Sequence, residues 1–101
     1  MMPLSDNRHA RSSEAGMPTP RPAPDVVARR LDNAGVLVNV RTNDIFELNE
    51  TGIRMWELLG TASTLGEIIE QLHREFDADV DDIEHAVQAL LRDLRTQGLV
   101  E

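Results

Sequence analysis

The chain reads as an α+β domain, a three-stranded antiparallel meander followed by three helices. Three observations predict it. Between residues 26 and 48 the apolar residues alternate with a period of two, in short runs separated by turn residues. From residue 50 onward they recur at three- and four-residue spacing, in runs broken by Gly, Thr and Asp. The change of period falls inside one continuous stretch, Asn43 to Gly60, where a strand passes directly into a helix. Strands first and helices second, with short connections, make neighbouring strands antiparallel and set the helices apart from the sheet.

The first strand is expected over Val26 to Leu31. Asp32-Asn33-Ala34-Gly35 reads as a turn, because Asp and Asn bond their own backbone and Gly has no Cβ to clash. The second strand follows, with Val36, Val38 and Val40 on one face and Leu37, Asn39 and Arg41 on the other. Arg41-Thr42-Asn43-Asp44 makes the second turn, and Asp44 to Leu48 the third strand. Phe46 and Leu48 share one face of it and Ile45 and Glu47 the other. Ile45 turns either to a groove or to the helices. In a meander the spatial order is 1-2-3, so the first and third strands are both edges.

The first helix is expected over Glu50 to Leu59, capped by Asn49 or Thr51. Ile53 and Trp56 start its apolar stripe, and Gly60 suits a left-handed stop. Trp56 at helical spacing from Ile53 reads as core. The second helix opens at the capping box Thr64-x-x-Glu67 and carries the stripe Leu65, Ile68, Ile69, Leu72, Phe76. The third runs from about Asp81 to Gln97, with Asp81-x-x-Glu84 as a second capping box and Ile83, Ala86, Val87, Leu90, Leu91 and Leu94 as its apolar set. Gly98, with Leu99 reaching back to Leu94, has the form of a Schellman stop.

Composition narrows the function. The chain has 101 residues, enough for one domain of modest core. Residues 1–24 read as a disordered Pro/Arg/Ser-rich tail and 25–101 as the folded domain, because alternating prolines and polar residues cannot bury enough apolar surface to offset ordering entropy. There is no cysteine, which excludes disulfides, thiolate metal sites and a cysteine nucleophile within these residues. No apolar run is long enough to span a membrane and no secretory signal is present, so no membrane partner and a cytoplasmic location are expected.

The net charge of −8 opposes phosphate binding, and with three aromatic residues there is little to stack on bases, so no nucleic acid is expected. Three helices beside a small sheet resemble a winged helix-turn-helix, and a DNA-binding regulator is the competing reading. It asks for a basic recognition helix, yet Asp81 to Gln97 holds Arg92 and Arg95 against Asp81, Asp82, Glu84 and Asp93. His9, His73 and His85 are too dispersed for a metal site, and the run Asp77, Asp79, Asp81, Asp82 lacks the sixth-position glycine of a calcium loop. No nucleophile triad or phosphate loop appears, so neither cofactor nor catalysis is expected.

Four segments together carry a resemblance. Gly35 to Val40 (G-V-L-V-N-V), Ile45 to Gly60 (I-F-E-L-N-E-T-G-I-R-M-W-E-L-L-G), Thr64 to Leu72 (T-L-G-E-I-I-E-Q-L) and the ending from Leu90 to Val100 (L-L-R-D-L-R-T-Q-G-L-V) resemble the PqqD-like family, the RiPP recognition elements. Leu48 to Trp56, L-N-E-T-G-x-x-x-W, is the most specific part. The resemblance implies a non-catalytic protein that binds the leader of a ribosomally made precursor peptide and delivers it to a processing enzyme, such as a leader protease or a radical-SAM-type modifying enzyme.

It also implies where the leader goes, as an added strand on the third strand, with side chains in a groove against the third helix. Carried over, the strand residues are Asp44, Ile45, Phe46, Glu47 and Leu48, and the helix wall is Val87, Leu90, Leu91 and Leu94 with Arg95 at the rim. PqqD proper has a proline-glutamate-glycine step after the third strand, whereas here Leu48 passes straight into Asn49-Glu50-Thr51. A stand-alone recognition protein of another peptide pathway fits this better, such as the small subunit beside a lasso-peptide leader protease. An exposed edge strand is also compatible with a homodimer.

Overall fold

The computed structural model describes residues 18–62 and 64–101. Three strands, β1 (Val26–Leu31), β2 (Ala34–Asn39) and β3 (Asp44–Asn49), form an antiparallel sheet in the order β1-β2-β3. Three helices follow, α1 (Glu50–Leu59), α2 (Leu65–Glu75) and α3 (Val80–Thr96). The α+β meander-then-helices plan expected from the sequence is the plan of the molecule. α1 lies on β2 and β3 and also packs against α2 and α3, and α2 packs on α3.

The first hairpin is tighter than the turn expected over 32–35. Leu31 pairs with Ala34, leaving Asp32 and Asn33 as the whole turn, with Asp32 at φ 31°. Gly35 therefore belongs to β2. Its reason for being glycine is close approach, since a Cβ there would stand 2.5 Å from Cγ1 of Ile53, a buried residue of α1. The second connection spans residues 40–43, with Asn43 at φ 67° and its N–H on the Asn39 carbonyl. Leu37 and Asn39 of β2 are buried, together with Leu48 of β3, while Val36 and Val38 stand half-buried on the opposite face.

Asn49 caps α1 by accepting from the Gly52 N–H at 2.8 Å. Gly60 ends that helix at φ −82°, not in the expected left-handed region, because the chain turns on through Thr61 and Ala62, whose N–H groups both return to the Leu58 carbonyl. The Thr64–Glu67 capping box is present on α2. The one expected at Asp81 is absent. α3 starts one residue earlier, with Asp79 at the N-cap, so Asp81 falls inside the first turn, where its charge suits the positive helix end. The Schellman stop forms: Gly98 has φ 71°, its N–H bonds the Arg95 carbonyl, and Leu99 N–H bonds the Leu94 carbonyl at 2.9 Å with Leu99 buried.

The core joins Leu37 and Leu48 of the sheet to Ile53, Met55, Trp56, Leu58 and Leu59 of α1, Leu65, Ile68 and Leu72 of α2, and Ile83, Val87, Leu91 and Leu94 of α3. Trp56 is part of it, as expected. Of the segment expected as tail, residues 1–17 lie outside the described residues. Residues 18–24 lie along the C-terminal end. Ala23 N–H bonds the Leu99 carbonyl, Glu101 N–H bonds the Arg21 carbonyl at 2.7 Å, and Thr19 Oγ1 donates to the Ala62 carbonyl.

Candidate peptide groove and free sheet edge

The free edge of β3 is set by strand order. Val40 N–H bonds the Asp25 carbonyl on the β1 side, so the even residues of β2 bond toward β1 and the odd ones toward β3. The odd residues Gly35, Leu37 and Asn39 pair with Leu48, Phe46 and Asp44. By the same alternation Ile45 and Glu47 direct their backbone N–H and C=O groups away from the sheet, and among the described residues no strand takes them up.

Beside this edge lies a groove of about 430 Å³ between β3, the start of α1 and one side of α3. Phe46 and Leu48 line it from the strand, Met55 from α1, and Ile83, Val87 and Leu90 from α3. Thr51 and Gly52 line it from the first turn of α1, Glu47 lines it along the strand edge, and Asp82 and Asp93 supply carboxylates on the α3 side. The groove is therefore apolar at its base and acidic around it. Met55 is an unbranched thioether that can adapt to differently shaped side chains.

Of the ten residues named from the resemblance, the structure brings five to this groove: Phe46, Glu47, Leu48, Val87 and Leu90. Asp44 and Ile45 are exposed on the same strand outside it, and Ile45 points to the side of the sheet away from the helices. Leu91 and Leu94 are 3% and 0% exposed in the core, and Arg95 is exposed beyond the groove lining. Met55, Ile83, Ala86, Asp82 and Asp93 line the groove without having been named as site residues. The signal for the helix residues was the width of the apolar set on α3. Ile83, Val87, Leu91 and Leu94 suffice for a core stripe, and Ala86 and Leu90 form a second row beside it.

A second depression is lined by Arg30, Glu50, Arg54, Glu57, Glu75 and Phe76. Its charges are paired. Arg54 forks onto Glu75 at 2.7 and 2.8 Å and reaches Glu57, Arg30 forks onto Glu57 at 3.0 Å, and Gln71 donates to Glu75. The Arg54 hydrogen bonds hold the Glu75 carboxyl down to about 2, and those of Arg30 lower Glu57. The network ties β1, α1 and α2 together. Among the described residues no cluster of His, Cys, Asp and Glu has the form of a metal site, and no helix is long and apolar enough to cross a membrane.

Residues 34–100 match the family described as Coenzyme PQQ synthesis protein D (PqqD). Two solved structures are similar in fold. TbiB1 in complex with the TbiA(beta) leader peptide superposes with a TM-score of 0.71 at 28% identity, over 80% of this chain and 94% of that one. Lasso peptide synthetase B1 complexed with the leader peptide superposes at 0.72 over 82% and 98%, with 22% identity, a likeness of fold alone. No curated protein matches the sequence.

Proposed function

Because the chain belongs to the PqqD family, we propose that it recognises the leader segment of a ribosomally made precursor peptide and hands it, without catalysing a step itself, to a leader protease or a modifying enzyme. The observation that carries this reading is the free β3 edge lying beside an apolar groove. An extended peptide adding to β3 uses the outward N–H and C=O groups of Ile45 and Glu47, whatever its sequence. Alternate side chains of the peptide then fall toward the groove, where Phe46, Leu48, Met55, Val87 and Leu90 select for apolar anchors. TbiB1, similar in fold, is a protein in complex with a leader peptide. The straight passage from Leu48 into Asn49-Glu50-Thr51 favours a stand-alone recognition protein outside quinone cofactor synthesis. Such a protein would act in the cytoplasm, where a ribosomal precursor is made.

The magnitudes suffice. Each main-chain bond contributes about 0.5–1.5 kcal/mol net, and each buried anchor of leucine size about 1.5–3 kcal/mol. Four bonds and two or three anchors, less the cost of ordering the leader, give micromolar to nanomolar binding.

The test is fluorescence anisotropy of labelled leader peptides from short reading frames near the gene. One leader should bind saturably. Ile45→Pro removes an outward donor without touching the β2 ladder, and Leu90→Arg fills the groove from a half-buried position. Each should weaken binding at least tenfold while circular dichroism stays native. Unchanged affinity in both variants would sink the site, and no binding to any leader would sink the function.

A further inference from the structure

Among the described residues the exposed large apolar side chains are Val27, Leu31, Val40, Ile45 and Val80, and the first four lie on or beside one surface. That surface is the side of the sheet turned away from the helices. The strand register arranges it in rows: Val27, Val38 and Ile45 in one, Arg29, Val36 and Glu47 in the next. The outer face of a sheet covered on one side is ordinarily polar. Here Ile45 is 67% and Leu31 55% exposed, and the centre of the face is valine.

We propose that this face docks on the same face of a second copy of the chain. The charges choose the occupant. Arg29 and Glu47 flank Val36 two strand spacings apart, roughly 10 Å between backbones, and are not paired with each other. Neither has a hydrogen-bonded or ionic side-chain partner among the described residues. In aligned face-to-face packing about a two-fold axis running along β2, β1 of one copy lies over β3 of the other. Each row then meets its own reversal. Arg29 sits over Glu47 of the second copy, Val27 over Ile45, and Val36 and Val38 over themselves. A processing enzyme could use an apolar face too, but nothing on this surface asks for it, whereas the reversed row pairs both charges.

The groove lies on the helix side, so such a dimer leaves both grooves and both β3 edges open. The face measures roughly 15 by 20 Å from strand spacing and rise, below the area that a stable specific interface buries, so the association is weak and reversible. This dimer is independent of leader binding.

Sedimentation velocity of the full chain over a concentration series tests it. The wild type should pass from one chain mass to two as concentration rises. Val27→Lys and Arg29→Glu should each remain at one chain mass while circular dichroism stays native and leader affinity is unchanged. Glu47→Arg should also remain monomeric, and the exchange Arg29→Glu with Glu47→Arg should restore the dimer. A single chain mass for the wild type throughout would overturn the proposal, including where a processing enzyme binds this face instead. So would dimers indifferent to Val27→Lys, or an exchange variant that stays monomeric.

Discussion

Gly35 shows how one missing Cβ positions the junction. It sits in β2 opposite Leu48, and Ile53 of α1 fills the space that a side chain would take. α1 follows β3 with no loop, so the depth at which Ile53 seats sets how closely the helix lies on the sheet. In Gly35→Ala the added methyl meets three buried carbons of Ile53 within 2.7 Å. The expected cost is about 1–3 kcal/mol of overpacking, read as a lower urea midpoint at unchanged slope. Unchanged stability would show that Ile53 can move aside freely. The sequence marked Gly35 as a turn residue for its backbone freedom, because single residues do not disclose that a helix residue eighteen positions later will close on them.

Elements owe their ends to local chemistry and their partners to the rest of the chain. The caps at Asn49 and Thr64 and the stop at Gly98 were legible because each satisfies backbone groups within a few residues. The segment over residues 18–24 was not. Its prolines and polar residues have no periodicity, and it is held by bonds to the far end of the chain, Ala23 to Leu99 and Glu101 to Arg21. Comparing a chain that starts at Pro18 with one that starts at Asp25 isolates its contribution. Losing three main-chain bonds, those two and Val26 N–H to the Ala23 carbonyl, and the Thr19 bond to Ala62 should cost about 2–6 kcal/mol, measured by chemical unfolding. Equal stabilities would mean that these bonds exchange with water at no cost.

The whole molecule carries 18 acidic residues against 10 arginines, and the Arg30, Arg54, Glu57, Glu75 network is where opposite charges are most tightly joined. Glu75 is held at about 2, below its ordinary value of 4.5, first by its hydrogen bonds from Arg54. A carboxylate depressed in the folded state stabilises fully above its unfolded value, and that stability is lost as pH falls from about 4.5 toward 2. The shift alone would amount to about 3 kcal/mol. With these side chains about a third exposed, solvent screening reduces it to about 1 kcal/mol. Glu75→Gln should therefore be less stable than wild type by about that amount at pH 7, and the gap should close as pH approaches 2. A gap that stays constant with pH would mean that the carboxylate charge contributes nothing.

By itself the sequence determined the order and kind of all six elements, because period, turn residues and caps are local properties of the chain. It also determined the family, through the stretch from Leu48 to Trp56 and its flanking segments. The tertiary structure decided which face each element turns inward. On β2 two alternating sets were equally available, and the packing of α1 buried Leu37 and Asn39 and left the valines outside. On α3 six apolar positions cover more than one stripe. Seating the helix on α1 and α2 rotates Ile83, Val87, Leu91 and Leu94 into the core and leaves Ala86 and Leu90 along the groove, with Val87 at its base. A helix's rotation about its own axis is a property of what it packs against, and no local pattern contains it.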